Sequence, residues 1–338
     1  MLLTSICWNT WGAKMVGKIT SDAKLTGHTA PVLTEESPYM SRNDLLAKIL
    51  NAQGRGNYQT DTFSGNEASE MGNDLEPFII RKSVERLGFA AYDDEITEVY
   101  AFEDLFEVSL DGIIFNKTKV IHASDSIKLM NGQDSMTLEG DGVIESKLTS
   151  APYTDVPPPY RGPRQLDMQM MCKGAKWGVI ATLYQGTRLV LYVYEANQDR
   201  FDELIDAGRD FYRRLDGPEW YPAVDGVDAA KVHSQADDSL PPMDLEPIAD
   251  LALTYYDARR AAKAAEALAK SIEPKLMDAL GNHESGILND EFGNPLFEVK
   301  WPTRSFKAQP EKVTPAKPAR VERQKSLTIP AKWLGDMT

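Results

Sequence analysis

The spacing of apolar residues along the chain predicts several helices. Residues 41–50 have the pattern of a short amphipathic helix, with Ser41 as its N-cap and Asp44 in its first turn. Residues 66–87 repeat apolar positions at helical spacing, and Gly88 can end that helix. Three later segments have the same kind of pattern, namely residues 164–176, 198–216 and 247–280.

Apolar runs between these helices predict strands and hairpins. The strand-like runs lie near residues 97–102, 105–116, 140–150, 177–184 and 188–195. The last two are joined by "QGT" and predict a β-hairpin, and residues 285–301 predict a second one. Residues 117–139 predict a further hairpin or an insertion between two strands.

The strand in "GDGVIESKLTS" ends with an acid and a base on the same side. Val143 and Ile144 begin the run as core residues, and Glu145 and Lys147 follow two positions apart. Successive side chains of a strand alternate between its faces, so these two charges point the same way. Taken alone, such a pair is typical of a surface ion pair.

Changes in composition predict four parts of the chain. Residues 222–245 are rich in Pro, Asp, Gly and Ser, which is typical of a linker. From residue 301 onward, eight Lys/Arg oppose three Asp/Glu in a Pro-containing segment with a net charge of about +5. We therefore expect a main domain at 1–221, a linker at 222–245, a helical and hairpin extension at 246–300, and a flexible basic tail at 301–338.

Composition narrows the class of protein. The 338 residues suffice for one large domain or two smaller ones. Two cysteines are too few for a disulfide framework or a four-cysteine metal site, which favours an intracellular setting. We find neither a signal-peptide pattern nor an apolar run long enough to cross a membrane. The net charge of −14 argues against binding polyanions over the whole surface but allows a local basic groove.

Five polar residues supply, in chain order, the parts that metal-assisted phosphodiester hydrolysis needs. A divalent cation requires hard oxygen ligands from different elements, and a nearby lysine can orient water or stabilise charge. The five are Glu76, Asp111, Glu145, Lys147 and Gln169. Each alone has an ordinary explanation, such as a solvated helix residue, a turn or a surface ion pair. The order and spacing of all five favour a catalytic site.

This ordered set resembles the PD-(D/E)xK nuclease superfamily, and most of all its lambda-exonuclease and YqaJ-like viral recombinase branch. The resemblance is carried by "SPYMSRNDLL", "MGNDLEPFI", "VSLDGII", "GVIESKLTS" and "DMQMM", and it covers roughly residues 25–215. It implies an α/β fold with a restriction-endonuclease-like core, in which helices flank a mixed central sheet. The C-terminal helix and β-hairpin would extend that core.

The same resemblance implies roles for the candidate residues. Asp111, Glu145 and Glu76 would bind Mg²⁺ or Mn²⁺, Lys147 would be the catalytic lysine, and Gln169 would match the family's helical glutamine.

The position of the metal-binding aspartate is the main departure from the family pattern. The 33 residues between Asp111 and Glu145 exceed the family's usual compact hairpin, and Asp125 and Asp141 are alternatives. The sequence "SLDG" favours Asp111, with residues 117–139 as an inserted hairpin and Asp141 in the turn before the strand.

Basic and amide side chains predict where phosphates would bind. A polar stripe on the 164–176 helix is either an ordinary exposed face or, beside a metal site, an approach to phosphates. Its members are Gln165, Gln169, Lys173 and Lys176. By the resemblance, Arg42 would help to hold the DNA end or backbone. Arg161 and Arg164 are further candidates.

The function implied by the resemblance is a Mg²⁺-dependent exonuclease that degrades linear double-stranded DNA from 5′ to 3′. Its product would be a 3′ single strand for a phage single-strand annealing protein. The family also implies a ring-shaped homotrimer and, for a phage-encoded protein, a location in the host cytoplasm. Two alternatives remain: an endonuclease or RecB-like nuclease with the same core, and a non-catalytic module that binds DNA or protein.

Overall fold

The computed structural model describes residues 20–58, 60, 66–233 and 239–301. Contacts between residues divide the chain into two compact units, Met1–Val232 and His233–Thr338. Within the described ranges, no helix combines the length and apolar character needed to cross a membrane.

The elements of the first unit follow the predicted order. Its described helices are α1 (Ala30–Leu33), α2 (Arg42–Ala52), α3 (Glu67–Leu87), α4 (Pro163–Lys173), α5 (Gln198–Asp216) and α6 (Gly226–Val232). The first six strands are β1 (Leu25–Thr26), β2 (Tyr92–Asp93), β3 (Tyr100–Phe102), β4 (Phe106–Val108), β5 (Gly112–Ile114) and β6 (Thr118–His122). The next five are β7 (Ile127–Leu129), β8 (Ser135–Glu139), β9 (Gly142–Thr149), β10 (Trp177–Tyr184) and β11 (Arg188–Glu195).

A mixed six-stranded sheet forms the centre of this unit, in the order β2-β5-β9-β10-β11-β7. Strands β9 and β10 are parallel, whereas β5 is antiparallel to β9 and β10 is antiparallel to β11. A three-stranded sheet, β1-β4-β3, and a two-stranded sheet, β6-β8, complete the described strands of the unit. The mixed α/β class expected from the sequence is confirmed.

Helices cover both faces of the central sheet. Helix α4 connects β9 to β10 and packs on one face, where Ile180 of β10 contributes to its core. Helix α3 packs on the opposite face, where Val179 and Ala181 contribute. All eight residues of β10 are buried, as expected for a strand with covered faces. A Cβ atom at Gly178 would lie 2.8 Å from Leu166, so this glycine permits the close approach of α4.

Capping residues fix the ends of several helices. The Ser41 side chain accepts a hydrogen bond from the Asp44 amide at 3.0 Å, and α2 begins there as predicted. Gly88 ends α3 in the left-handed conformation, also as predicted. The predicted helix 164–176 is too long at its C-terminus, because Gly174, at φ 71°, ends α4 after Lys173.

The insertion at residues 117–139 is more than a hairpin. Strands β6 and β8 pair as an antiparallel hairpin, consistent with the prediction. Between them, β7 leaves the hairpin and pairs in parallel with β11 at the edge of the central sheet.

The predicted linker begins too early. Helix α6 lies inside residues 222–245, and its buried Asp228 accepts hydrogen bonds from Ser41 Oγ at 2.7 Å and Asn43 Nδ2 at 2.8 Å. These bonds attach α6 to the start of α2, so the first unit extends to Val232 instead of residue 221. Composition missed this helix because a long-range polar contact, not an apolar stripe, attaches it.

The second unit has the predicted helix and hairpin. Helix α7 spans Ala249–Leu280, and strands β12 (Ser285–Asn289) and β13 (Pro295–Lys300) pair in antiparallel fashion.

A buried ion pair joins α4 to α5. The Asp167 carboxylate is almost fully buried and accepts a hydrogen bond from Arg200 Nε at 3.1 Å. Burial raises the pKa of Asp167 to about 6, although the charges of Arg200 and Arg164 lower it; Glu36 raises it further. Because its pKa is higher in the folded protein, Asp167 stabilises the folded state at pH values below its unfolded pKa near 3.8. This stabilisation is lost as the pH rises through about 6.

We therefore expect Asp167→Asn to stabilise the protein at pH 8 by about 1–3 kcal/mol, because the buried charge is removed. The difference from wild type should shrink as pH falls from 7 to 4. Urea unfolding across this range measures it. A stability difference between variant and wild type that stays constant or grows at low pH would contradict the raised pKa of Asp167.

Candidate active site

Strand register brings Asp111 to Glu145. In the antiparallel pair β5–β9, Ile113 lies opposite Val143 and Gly112 opposite Ile144. One further step in this register places Asp111, just before β5, opposite Glu145 and on the face that α4 covers. Asp111 Oδ2 accepts a hydrogen bond from the Ser146 amide at 2.8 Å. The approach is close at Gly112, where a Cβ atom would lie 2.8 Å from Ile144.

Glu145 is a buried carboxylate with two side-chain donors. Its exposed fraction is 2%, and its Oε1 accepts a hydrogen bond from Lys147 Nζ. Its Oε2 accepts one from Gln169 Nε2 at 2.6 Å. A buried charge is tolerated only when such partners satisfy it, so Lys147 and Gln169 are what hold Glu145 in this position.

Lys147 is held from two sides. Besides Glu145, its Nζ donates to Gln165 Oε1 at 3.0 Å, and its side chain is 31% exposed. Burial alone lowers the pKa of Lys147, but the charges of Glu145 and Asp111 outweigh that effect and raise the pKa. Lys147 is therefore an ammonium ion in the folded protein, with one side open to solvent.

Glu76, on α3, acts on the same group of charges. Burial and the negative charges of Glu145 and Glu76 raise the pKa of Asp111 well above its usual value, while Lys147 and the Ser146 amide oppose the shift. Three carboxylates therefore share one ammonium ion. Carboxylates concentrated in this way are characteristic of sites that bind a cation.

The donor atoms suit a hard divalent cation. Within the described residues, no three His, Cys, Asp or Glu side chains are already arranged around one metal position. Lys147 instead contacts Glu145, and the Ser146 amide contacts Asp111. The buried Gln169 Oε1 has no hydrogen-bond partner in the described part of the chain. Carboxylate and amide oxygens are what Mg²⁺ prefers, so Glu76, Asp111 and Glu145 are the residues that could hold it.

The two alternative aspartates lie elsewhere. Asp141 Oδ1 accepts a hydrogen bond from the Asn116 amide at 3.0 Å, in the turn before β9. Asp125 lies between β6 and β7, and both β10 and β11 separate β7 from β9 in the sheet. Of the three candidates, the structure brings only Asp111 to Glu145.

Arg161 lies beside the same end of β9. Its Nη1 donates to Thr149 Oγ1 at 2.7 Å, and Thr149 shares a strand face with Glu145 and Lys147. Lys147, Thr149 and Arg161 line one cleft of 490 Å³. Two cations therefore face an open volume next to the carboxylates.

Arg164 and Arg42 have other contacts. The Arg164 guanidinium binds both carboxylate oxygens of Glu36, with Nε–Oε2 at 2.9 Å and Nη2–Oε1 at 2.9 Å, and it also contacts Glu203 at 2.8 Å. This largely buried ion pair joins the segment after α1 to α4 and α5. Arg42 contacts Glu35 and lies over the Tyr221 ring, 4.1 Å from its centroid.

The predicted polar stripe is divided between two environments. Gln165 and Gln169 face the Glu145–Lys147 pair, and Gln169 is 1% exposed. Lys173 lies over the Tyr100 ring, 4.5 Å from its centroid. Lys176 lies beyond α4 and pairs with Glu139 at 3.1 Å. The stripe is therefore not a continuous exposed surface.

Gln165 belongs to the predicted stripe, but the sequence alone predicts no separate role for it at the site. Its spacing of four residues from Gln169 was the available signal, since such residues share a helix face. Thr149, two residues beyond Lys147 in β9, was also missed, although alternation alone puts it on the same face.

Comparisons with known proteins found similar solved structures. No family model matches the chain, and no curated protein matches it. The chain is similar to the alkaline exonuclease LHK-Exo from Laribacter hongkongensis in complex with dAMP, with 17% identity and a TM-score of 0.42. That similarity covers 59% of this chain and 91% of the other.

A phage-related exonuclease from Haemophilus somnus 129PT is also similar, with 14% identity and a TM-score of 0.38 over 58% of this chain and 96% of the other. Both solved structures are of exonucleases.

We expect Gln169→Leu to lower the free energy of unfolding by about 1.5–3 kcal/mol, because Glu145 Oε2 would lose its partner while remaining buried. Gln165→Leu is the matched control on the same helix face. It removes one hydrogen bond from the partly exposed Lys147 and should cost about 1 kcal/mol or less. If urea unfolding shows that both variants lose the same free energy of unfolding, the hydrogen bond to the buried Glu145 carboxylate is not the reason for the loss.

Proposed function

We propose that this protein is a Mg²⁺-dependent exonuclease that degrades linear double-stranded DNA. One observation carries the proposal: Asp111, whose pKa is raised by burial and by the charges of Glu145 and Glu76, is brought by strand register to a buried Glu145 that is paired with Lys147. Three acids and one lysine of the kind that phosphodiester hydrolysis requires thus come from three parts of the chain: α3, the residue before β5, and β9. The PD-(D/E)xK core named from the sequence is part of the same proposal.

Each side chain has a distinct role in this proposal. A bound Mg²⁺ would supply positive charge beside the scissile phosphate. Glu76, Asp111 and Glu145 would hold it, while Gln169 keeps the Glu145 carboxylate oriented through the 2.6 Å hydrogen bond. The Lys147 ammonium would orient the attacking water and stabilise the developing negative charge on the phosphate.

The cleft next to Lys147 supports a path for the DNA backbone. Arg161 lines it, and its contacts are with uncharged groups: the Thr149 hydroxyl and the Tyr160 ring, whose centroid lies 5.6 Å away. A guanidinium in that position can turn toward a phosphate without breaking an ion pair. Arg161 is therefore a stronger phosphate ligand in this proposal than Arg164, whose two carboxylate partners would have to be displaced.

The finer features of the proposal rest on the sequence resemblance. These are 5′ to 3′ polarity, a 3′ single-stranded product for a phage annealing protein, a homotrimer, and activity in the host cytoplasm. An endonuclease or RecB-like nuclease with the same residues is the second candidate. A non-catalytic module is the third, and the concentration of carboxylates at Asp111 speaks against it.

Lys147→Ala should reduce cleavage of a linear duplex by about 100-fold or more, because charge stabilisation by one preorganised donor is typically worth that much. DNA binding, measured separately in Ca²⁺, should change by less than about threefold, since a single, partly exposed cation that is already paired with Glu145 contributes little to affinity. Lys176→Ala, which removes an exposed lysine paired with Glu139, is the control. Full activity of Lys147→Ala would refute the proposed role.

Digestion of end-labelled linear duplex and closed circular duplex distinguishes the candidates. An exonuclease should release label from the linear molecule in Mg²⁺ and leave the closed circle intact. Early loss of the 5′ label, with the 3′ label retained, is expected for 5′ to 3′ polarity. Cutting of the circle would favour an endonuclease. If Mg²⁺ produces no cleavage and calorimetry detects no Mg²⁺ binding that Glu145→Ala removes, the non-catalytic module is correct.

A further inference from the structure

Helix α7 carries a continuous apolar seam along its length. From Leu251 to Leu276, positions that alternate four and three residues apart fall on eight residues, and all eight are apolar. This spacing is the seven-residue repeat of helices that pair side by side. The seam covers about 37 Å of helix, at about 1.5 Å per residue.

Within the described part of the chain, no side chain of the seam is buried. None of the 32 residues of α7 is buried, and the exposed fractions of Leu251, Ile272 and Leu276 are 69%, 41% and 44%. Leu253 and Leu268 are also exposed but lie off the seam, and a helix of this length normally buries its regularly spaced apolar face against another element. The repeat therefore indicates a partner helix with the same spacing.

The arrangement of large and small side chains along the seam is the same in either direction. Leu251 and Tyr255 occupy one end, Ile272 and Leu276 occupy the other, and the four seam positions between them are alanines. When a second copy of the helix lies antiparallel, Leu251 faces Leu276 and Tyr255 faces Ile272 of the other copy. Ala262 then faces Ala265. A two-fold contact requires this kind of self-complementary pattern.

Charges beside the seam select the antiparallel arrangement. Arg259 and Glu266 flank the alanines on the same side of the seam. In the antiparallel pair, Arg259 of each copy faces Glu266 of the other, which gives two opposite-charge contacts. In a parallel pair these positions would instead face Thr254 and Ala261, and no opposite charges would meet. Within one chain, Glu266 pairs with Lys270 at 2.7 Å, and both side chains are mostly exposed.

We infer that α7 docks antiparallel on α7 of a second copy of this chain. The central alanines allow the two helix axes to approach to about 8 Å, at the close end of the usual range. The large residues at the two ends cover one another and fix the register. This contact lies in the second unit and does not depend on the nuclease proposal.

Cysteine cross-linking of the full chain tests the register. In a background with Cys7→Ser and Cys172→Ser, Leu251→Cys and Leu276→Cys are made as separate proteins. On mild oxidation, a mixture of the two should form disulfide-linked heterodimers, whereas neither protein alone should cross-link. In the antiparallel pair, identical positions lie about 37 Å apart along the helix. Cross-linking of either protein alone, or no cross-linking in the mixture, would overturn the inference.

A second comparison tests the seam without cysteines. Ala265→Lys places a charge in the seam, whereas Ala264→Lys places the same residue on the row that contains Asp257 and Ser271. Sedimentation of the full chain should give at least a tenfold weaker self-association for Ala265→Lys and less than a twofold change for Ala264→Lys. Circular dichroism verifies equal helix content. Equal association of both variants would assign the seam to another partner and overturn the inference.

Discussion

The burial of the Glu145 carboxylate is the constraint on which the site depends. A charge with 2% exposure must have partners, and β9 itself supplies only Lys147. The other partner is Gln169, so α4 must cross the sheet at the height of Glu145. Gly178 has no side chain, so Leu166 of α4 can pack directly against it, and this permits the crossing. Helix position, strand register and side-chain chemistry are therefore coupled at this one group.

The carboxylates around Glu145 lower the stability of the folded chain through electrostatic repulsion. Burial and the charges of Glu145 and Glu76 raise the pKa of Asp111, which means that both glutamates repel a charged Asp111 in the folded chain. A chain optimised only for stability would replace at least one of them by a neutral residue. Their retention beside a single ammonium ion is understandable if a cation offsets the repulsion during function.

Local signals predicted much of the fold, and long-range contacts account for the errors. Ser41 and Gly88 mark helix ends through bonds to nearby backbone, so the sequence alone identified both. The contact between Asp111 and Glu145 depends on the pairing of β5 with β9 across 33 intervening residues, and it followed only from the family pattern. Arg164 looked available in the sequence because Glu36 and Glu203 are distant in the chain. Composition likewise gave no sign that Asp228 joins α2.

The strand β7 has a consequence for the solubility of this protein. Without it, β11 would be the edge of the central sheet and would present unpaired backbone groups beside Leu191 and Val193. Open edges of that kind recruit strands from other chains and lead to aggregation. As an edge, β7 is only three residues long and has Lys128 at its centre, features that discourage such recruitment. The insertion that separates Asp111 from Glu145 therefore also protects the sheet from uncontrolled assembly.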